Sequence, residues 1–345
     1  MFGFMGIRET LCDLVAGHRL SSDEAESLFE DLLGGLLDEA QIGAVLALIQ
    51  SRSPSVDELV GAARAMRRHA TAVPRSASMT GVVIDTCGTG GTPKTFNIST
   101  VAALVAAGAA PGKVRVAKHG NRSRSGRGSA EVLGALGVNV DAGPAVQARC
   151  LEEAGVCFCF APHHHPAAKH AAGARRSLGF PTIFNLLGPL TNPAGASHQL
   201  MGVYDGAAVE LVASALAKLG STRALVVHGR DGMDEISTTD RTIAALVENG
   251  RVKMIELDYE PLGIRRAAMA ELQAADLDQA VAVAKGVLGG RPGPARDIVV
   301  LNAAAALWIA GASSTIAAGM DLAVVSIDSG GAERALEKLA LISNA

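Results

Sequence analysis

Val82-Val83-Ile84-Asp85-Thr86-Cys87-Gly88-Thr89-Gly90-Gly91-Thr92-Pro93-Lys94-Thr95-Phe96-Asn97-Ile98-Ser99-Thr100 is a short apolar run ending at an acid, a glycine turn, a string of hydroxyl and amide side chains, and the start of an Ala-rich segment that reaches Ala110. A strand, a tight turn and a helix follow from that pattern, and a strand feeding a helix is the opening of a parallel βαβ unit. Val114 to Ala117, Val138 to Val140, Cys157 to Phe160, Leu225 to Val227 and Val252 to Ile255 repeat the short apolar run. Most of them alternate with helical segments such as Ala207 to Leu219. The alternation predicts an α/β layered domain with a mainly parallel sheet, whose ligands sit beyond the carboxyl ends of the strands.

Upstream the pattern is different. Leu11, Leu14 and Val15, then Ala25, Leu28, Leu32 and Leu33, recur at helical spacing. Ser21 or Ser22, with Asp23, Glu24 and Glu26 behind it, begins one helix; Glu39 to Ser51 is another, and Ser55 with Asp57 and Glu58 begins a third that reaches Ala70. Helices with no strand between them form a bundle, so residues 1–72 read as a small all-helical domain. The Ala-, Ser-, Thr- and Pro-rich stretch Thr71 to Thr80 is its linker to the larger domain. Far downstream, Ile298 to Met320 carries no charge, yet Asn302, Ser313, Ser314 and Thr315 and many alanines make it a poor membrane span. It reads instead as a buried helix with a turn near Gly311.

Composition excludes several classes of function. The 345 residues hold 31 basic and 34 acidic side chains, a net charge of −3, which is no footprint for duplex nucleic acid. One Trp, two Tyr and eight Phe are few for a surface that stacks bases. Five cysteines fit no disulfide framework, and the start of the chain reaches Arg8 and Glu9 before any long apolar run, so a cytoplasmic protein is expected. With 39 glycines, the chain is suited to binding ligands through its backbone.

Three loops concentrate that capacity. After Asp85, the glycines and the N-terminus of the following helix can converge backbone N–H groups on an anion, with Asn97, Ser99 and Thr100 as caps or ligand contacts. An ordinary, well-capped strand–turn–helix connection is the alternative. Lys118-His119-Gly120-Asn121-Arg122-Ser123-Arg124-Ser125-Gly126-Arg127-Gly128-Ser129 packs five cationic or titratable residues into one loop directly after a strand. A phosphorylated small molecule fits such a loop better than a solvated basic turn or a local nucleic-acid contact. Asp234 and Glu235 follow a third strand and suit Mg²⁺, which takes carboxylate, water and phosphate oxygens. Cys157, Cys159, His163, His164, His165 and His170 mimic a zinc cluster, but the spacing is not that of a zinc site and the cysteines read as small core residues.

Taken together, several segments resemble the anthranilate phosphoribosyltransferase family. They are Gly88 to Gly91, Thr95 to Thr100, Lys118 to Arg122, Gly128-Ser129-Ala130, Phe160-Ala161-Pro162 with His165-Pro166, Thr182 to Pro193, Gly232 to Glu235, and Asn302 to Trp308. The resemblance spans nearly the whole chain. It implies a nucleoside phosphorylase/phosphoribosyltransferase-like fold: a helical domain of residues 1–72, completed by about 170–192, and an α/β domain of residues 78–169 and 193–345. It also implies dimers formed through the helical domain. The implied reaction moves phosphoribose from 5-phosphoribosyl 1-diphosphate (PRPP) to the amine of anthranilate, releasing pyrophosphate, in tryptophan biosynthesis.

By position, the resemblance assigns PRPP to Gly88, Gly91, Thr92, Thr95, Asn97, Ile98, Ser99, Thr100, Lys118, His119, Gly120, Asn121, Arg122, Ser123 and Ser129. Lys118 and Arg122 would give electrostatic support. Anthranilate falls to Gly88, His119, Asn121 and Arg175, with Arg175 pairing the carboxylate. Two Mg²⁺ ions fall to Ser99, Asp234 and Glu235. Thr92 stands where the family usually has Asp, both phosphoribosyl loops look one residue short, and Arg124 and Arg127 add cations to the second. A relative acting on another aromatic acceptor, or a non-catalytic nucleic-acid binder, is the alternative to this activity.

Overall fold

The computed structural model describes residues 6–77, 79–90, 95–123 and 126–345. Four helices come first: α1 (Ile7–Val15), α2 (Ser22–Leu33), α3 (Glu39–Ser51) and α4 (Val56–Arg68). Local sequence starts three of them in the same way. Ser21 with Glu24, Asp38 with Gln41, and Ser55 with Glu58 form reciprocal capping boxes, each satisfying backbone N–H groups that a helix N-terminus leaves without partners. Of the two serines at the start of α2, Ser21 is the cap. Helices α2 and α4 cross so closely that Gly61 has no room for a side chain: a Cβ there would meet Ser22 O and lie 2.6 Å from Glu26 N, both backbone atoms.

The sheet has seven strands in the order β3-β2-β1-β4-β5-β6-β7. They are β1 (Val82–Gly88), β2 (Val114–Gly120), β3 (Val156–Phe160), β4 (His198–Gly202), β5 (Arg223–Gly229), β6 (Thr242–Glu248) and β7 (Arg251–Leu257). β1 to β5 run parallel, and β6 and β7 close one edge as an antiparallel hairpin. The mainly parallel α/β domain beside a helical bundle is therefore present as expected. From β1 the chain first builds outward through β2 and β3, then returns to place β4 on the other side of β1. That reversal makes a crevice at the carboxyl ends of β1 and β4, where open α/β sheets bind ligands.

Some strand expectations need correction. Val138 to Val140 is not a strand: α6 (Ser129–Ala135) ends just before it, and Gly137 turns the chain at φ +91°. Val138 N then donates to Leu133 O at 3.0 Å, closing the helix end, and the Val138 side chain is buried. β4 and β6 went unread. β4 is only five residues, His198-Gln199-Leu200-Met201-Gly202, and its polar members obscure the pattern. The glycine-loop helix, α5 (Ile98–Ala109), begins two residues earlier than Thr100 and is buried on nearly all sides between the sheet and the helices Pro294–Ile309 and Gly331–Ser343. The charge-free stretch divides into the helices Pro294–Ile309 and Ile316–Asp328, with Gly311 between them at φ +74°. Among the described residues no helix is long and apolar enough to cross a membrane.

The helices Ala172–Leu178 and Phe184–Leu187 pack on α3 and α4, and the Phe184 ring lies 5.9 Å from that of Phe29. Chain crossings between the bundle and the sheet are stitched together. Thr71 N donates to His164 O at 2.8 Å, and Val73 N donates to Pro193 O at 3.0 Å. Because the α2–α4 crossing tolerates no Cβ, Gly61→Ala should lower the unfolding free energy by about 3 kcal/mol in urea titrations.

Candidate active site

The crevice between β1 and β4 is shaped by two glycines that face each other across the strands, Gly88 and Gly202. A Cβ on Gly88 would strike the Asp234 carboxylate, and one on Gly202 would strike the Asp234 backbone. The loop after β5 therefore lies directly over this point of the sheet. Asp234 Oδ2 accepts from Gly90 N at 2.9 Å, and Glu235 Oε1 accepts from Ser99 N, at the start of α5, at 3.1 Å. The neighbouring carboxylates thus bind the two ends of the glycine turn.

Buried polar side chains hold that loop in place. Asn302 Oδ1 accepts from Ile236 N at 3.0 Å while its Nδ2 donates to Ile236 O at 2.9 Å, fixing both backbone groups beside Glu235. Asp231 accepts from Met233 N at 3.0 Å and from the hydroxyls of Ser237 and Thr239. In the sequence Asn302 is marked only as a polar residue of the charge-free stretch and as part of a family segment, with no role at this loop. Its physical signal is an amide in the middle of a helix that carries no charge after Asp297.

Lys118 joins the two phosphate-loop candidates. It is 4% exposed, and its Nζ donates to Thr86 O at 2.6 Å and Ser99 Oγ at 3.2 Å. Burial draws its pKa down, opposed by Asp85, Glu235 and Asp234. Burial, with Asp234 adjacent, pushes Glu235 up to about 8 against the pull of Lys118. Burial also lifts Asp85 to about 6, although Asp85 Oδ1 accepts from His119 N at 3.1 Å. Burial, with Asp234 adjacent, disfavours the charge on Glu235, and a divalent cation at Asp234 and Glu235 would offset that. Among the described residues no group of three or more His, Cys, Asp or Glu could hold a metal. An ion here would therefore draw its remaining oxygens from Ser99, water or a bound phosphate, as Mg²⁺ commonly does.

The second loop folds back under itself. Gly120 faces the Phe158 ring and Ser129, and Asn121 O accepts from Ser129 Oγ at 3.3 Å. Asn121 Oδ1 accepts from Arg122 N at 2.8 Å, and the Arg122 guanidinium lies 5.4 Å over the Phe160 ring. Ser123 Oγ accepts from Arg127 N at 2.9 Å, and Asn97 Nδ2 donates to Arg127 O at 3.0 Å, tying this loop to the first. Thr95 pairs with Gln273, which pins the far end of the glycine turn. Ile98 and Thr100 are each 1% exposed, and their side chains face the core at the start of α5. Gly91, Thr92 and Arg124 lie outside the described residues.

A strap, Thr182 to Pro193, covers the ends of β1 and β2. Asn192 Nδ2 donates to Ala117 O at 2.7 Å, and Gln199 Nε2 donates to Pro189 O at 2.7 Å. Beneath it, His119 Nδ1 lies 3.0 Å from Gly188 O and its ring 5.1 Å from that of His165. Burial, then the adjacent imidazoles, depress His119 to about 3; burial, with His164, depresses His165 to about 4. Both rings are neutral at physiological pH. Arg175, on the helix Ala172–Leu178, lies 5.0 Å over the Phe184 ring beside the strap. Of the other zinc-like residues, Cys157 and Cys159 are buried with their sulfurs 3.8 Å apart, while His163 pairs with Asp141 at 3.2 Å and His164 Nδ1 bonds Thr71 O at 2.6 Å.

Comparison with known proteins matches both parts of the chain. The helical bundle domain of a glycosyl transferase family matches residues 8–70, and the a/b domain of that family matches residues 80–333. The anthranilate phosphoribosyltransferase of Moorella thermoacetica is 48% identical over 335 residues, 96% of this chain and 97% of its own. The solved anthranilate phosphoribosyltransferase of Thermus thermophilus superposes with a TM-score of 0.90 at 36% identity, covering 97% of this chain and 99% of its own. That of Saccharomyces cerevisiae, solved in complex with PRPP and Mg, has a TM-score of 0.87 at 25% identity over 98% of each chain.

The buried imidazoles carry a measurable pH signature. Unfolded, His165 titrates near its ordinary value of 6.5; folded, it does so only near about 4. Between those values the unfolded chain binds a proton that the folded chain does not, so stability falls as pH falls. The slope is up to about 1.4 kcal/mol per pH unit. Compared with His165→Gln, the wild-type protein should lose stability on this slope between about pH 6 and about pH 4.5. The difference should be independent of pH above about 7, as followed by urea unfolding at each pH.

Proposed function

The chain belongs to the anthranilate phosphoribosyltransferase family, and on that premise we propose how its own residues carry the transfer. The protein is a glycosyltransferase of tryptophan biosynthesis that moves phosphoribose from PRPP to the amine of anthranilate and releases pyrophosphate. The observation that carries the residue assignment is the closure of Asp234 and Glu235 onto the two ends of the glycine turn, with Lys118 Nζ beside Ser99.

The glycine turn from Gly88, including Gly91 and Thr92, and the start of α5 at Thr95, Asn97 and Ser99 hold the diphosphate through backbone N–H groups and hydroxyls. The second loop, Gly120 to Ser123 with Ser129, takes the phosphoribosyl group. Magnesium suits Ser99, Asp234 and Glu235, two ions in this reading, and when bound it would neutralise charge on the departing diphosphate. Lys118 is already in place for that charge, because Thr86 O and Ser99 Oγ fix its ammonium before any ligand arrives. Arg122 adds a second cation. Loss of pyrophosphate leaves an oxocarbenium-like sugar, which the anthranilate nitrogen attacks. Gly88, His119, Asn121 and Arg175 position anthranilate, with Arg175 holding its carboxylate. Catalysis then comes chiefly from orientation and fixed electrostatics.

Two domains suit this chemistry, with residues 1–72 and 170–192 forming one wall of the cleft and residues 78–169 and 193–345 the other. We also propose a cytoplasmic homodimer formed through the helical domain. Ala40, Gly43, Ala44, Ala47 and Leu48 give the outer face of α3 no charge, and Val15 and Leu36 beside it are 71% and 74% exposed. Sedimentation should give about twice the 35.2 kDa chain mass, and Ala44→Glu with Leu48→Glu should give the single-chain mass.

Anthranilate fluorescence should fall when PRPP and Mg²⁺ are added and stay constant when EDTA is present. Constant fluorescence at high enzyme concentration with Mg²⁺ would remove anthranilate as the acceptor. Arg175→Ala should raise the anthranilate KM roughly tenfold to a hundredfold with PRPP affinity unchanged, in keeping with loss of a charged hydrogen bond. Equal loss of both ligands would count against its assigned partner.

A further inference from the structure

His119 is 5% exposed and has one ring nitrogen engaged and one without a partner. Nδ1 lies 3.0 Å from Gly188 O, and a carbonyl only accepts, so Nδ1 carries the hydrogen. In a neutral ring Nε2 is then a bare acceptor. It is buried, and among the described residues no donor reaches it. Buried acceptors are almost always paired, so this one calls for a donor brought by a ligand. A carboxylate cannot serve, since it too only accepts. An arylamine N–H can.

We propose that His119 Nε2 receives the N–H of the acceptor amine and takes its proton as the new C–N bond forms. This rests on anthranilate being the acceptor. It goes beyond positioning, because it gives the proton a destination. The amine lone pair bonds to C1 of the ribose, and the C1–O bond to the diphosphate breaks with its electron pair leaving on oxygen. The nitrogen then carries one proton too many, which passes to Nε2. The imidazolium so formed keeps Nδ1–H on Gly188 O, and the neutral secondary arylamine is the product. The proton passes to water once the product has left.

The surroundings suit a weak base. His165 and His164, from the segment after β3, and Lys118, beside it on β2, all disfavour a resting imidazolium. Asp85 on β1 is occupied by the backbone N–H of His119 rather than by its ring. An arylammonium is a strong acid, so a weakly basic imidazole suffices to accept its proton, and a resting neutral ring is ready to do so.

Two amides separate hydrogen bonding from basicity. In His119→Gln the side-chain oxygen can reach the Nε2 position as an acceptor of negligible basicity. In His119→Asn the amide can replace Nδ1 against Gly188 O but places nothing at Nε2. Single-turnover rates at saturating ligands should fall tenfold or more in His119→Gln, with the anthranilate KM within about threefold of wild type. His119→Asn should also raise the anthranilate KM. PRPP affinity by calorimetry should be unchanged in both. The single-turnover solvent deuterium isotope effect should be present in the wild type and lost in His119→Gln. With 4-fluoroanthranilate, whose ammonium is the more acidic, the rate ratio of wild type to His119→Gln should shrink. A wild-type single-turnover rate in His119→Gln would overturn the proposal. So would a parallel loss of PRPP affinity, which marks a purely structural part. If the wild type itself left anthranilate unconsumed, the acceptor assignment would fail instead.

Discussion

Everything in the cleft depends on the contact between the Asp234 loop and the paired glycines of β1 and β4. Gly88 and Gly202 leave the sheet bare at its topological reversal, and the Asp234 backbone occupies that space. Only there can one carboxylate reach the Gly90 N–H while its neighbour reaches the N–H of Ser99. The clamp on Ile236 by Asn302 keeps the pair from rotating away. Side chains at either glycine would displace the carboxylates and separate the two halves of the site.

The second constraint is electrostatic. Lys118, Asp85 and Glu235 are buried together, and each has its charge disfavoured by burial. Such a cluster is costly to bury, and in the proposed reading a diphosphate and a divalent cation would offset that cost. On the other side of β2 the logic reverses. His119 and His165 are kept neutral under the strap, which leaves uncharged imidazoles there rather than cations. One strand end thus divides the cleft into a charged half and an uncharged half.

Much of this was legible along the chain. Ser55 with Glu58 marked a helix start, the glycine turn marked a strand-to-helix junction, and Asp234 with Glu235 marked an oxygen-donor pair. Other features had no linear trace. β4 was invisible because five residues with His and Gln among them do not alternate cleanly, and Val138 misled because a helix-sealing valine looks like the edge of a strand. Gly202 looked like any other glycine, and nothing along the chain showed that α5 is buried around most of its circumference.

By itself the sequence determined what is encoded locally: apolar period, caps, glycine turns and the kinds of side chain each loop carries. It therefore sufficed for the two kinds of architecture and for the family resemblance. The tertiary structure alone decided which loops meet, because strand order is a long-range property. Gly88 of β1 and Gly202 of β4 are far apart in the chain, with β2 and β3 between them, yet they are neighbours in the sheet. It also decided protonation and tautomer. Whether Lys118, Glu235 and His119 are charged, and which nitrogen of His119 is bare, follows from burial and from carbonyls such as Gly188 O, supplied by segments far away in the chain.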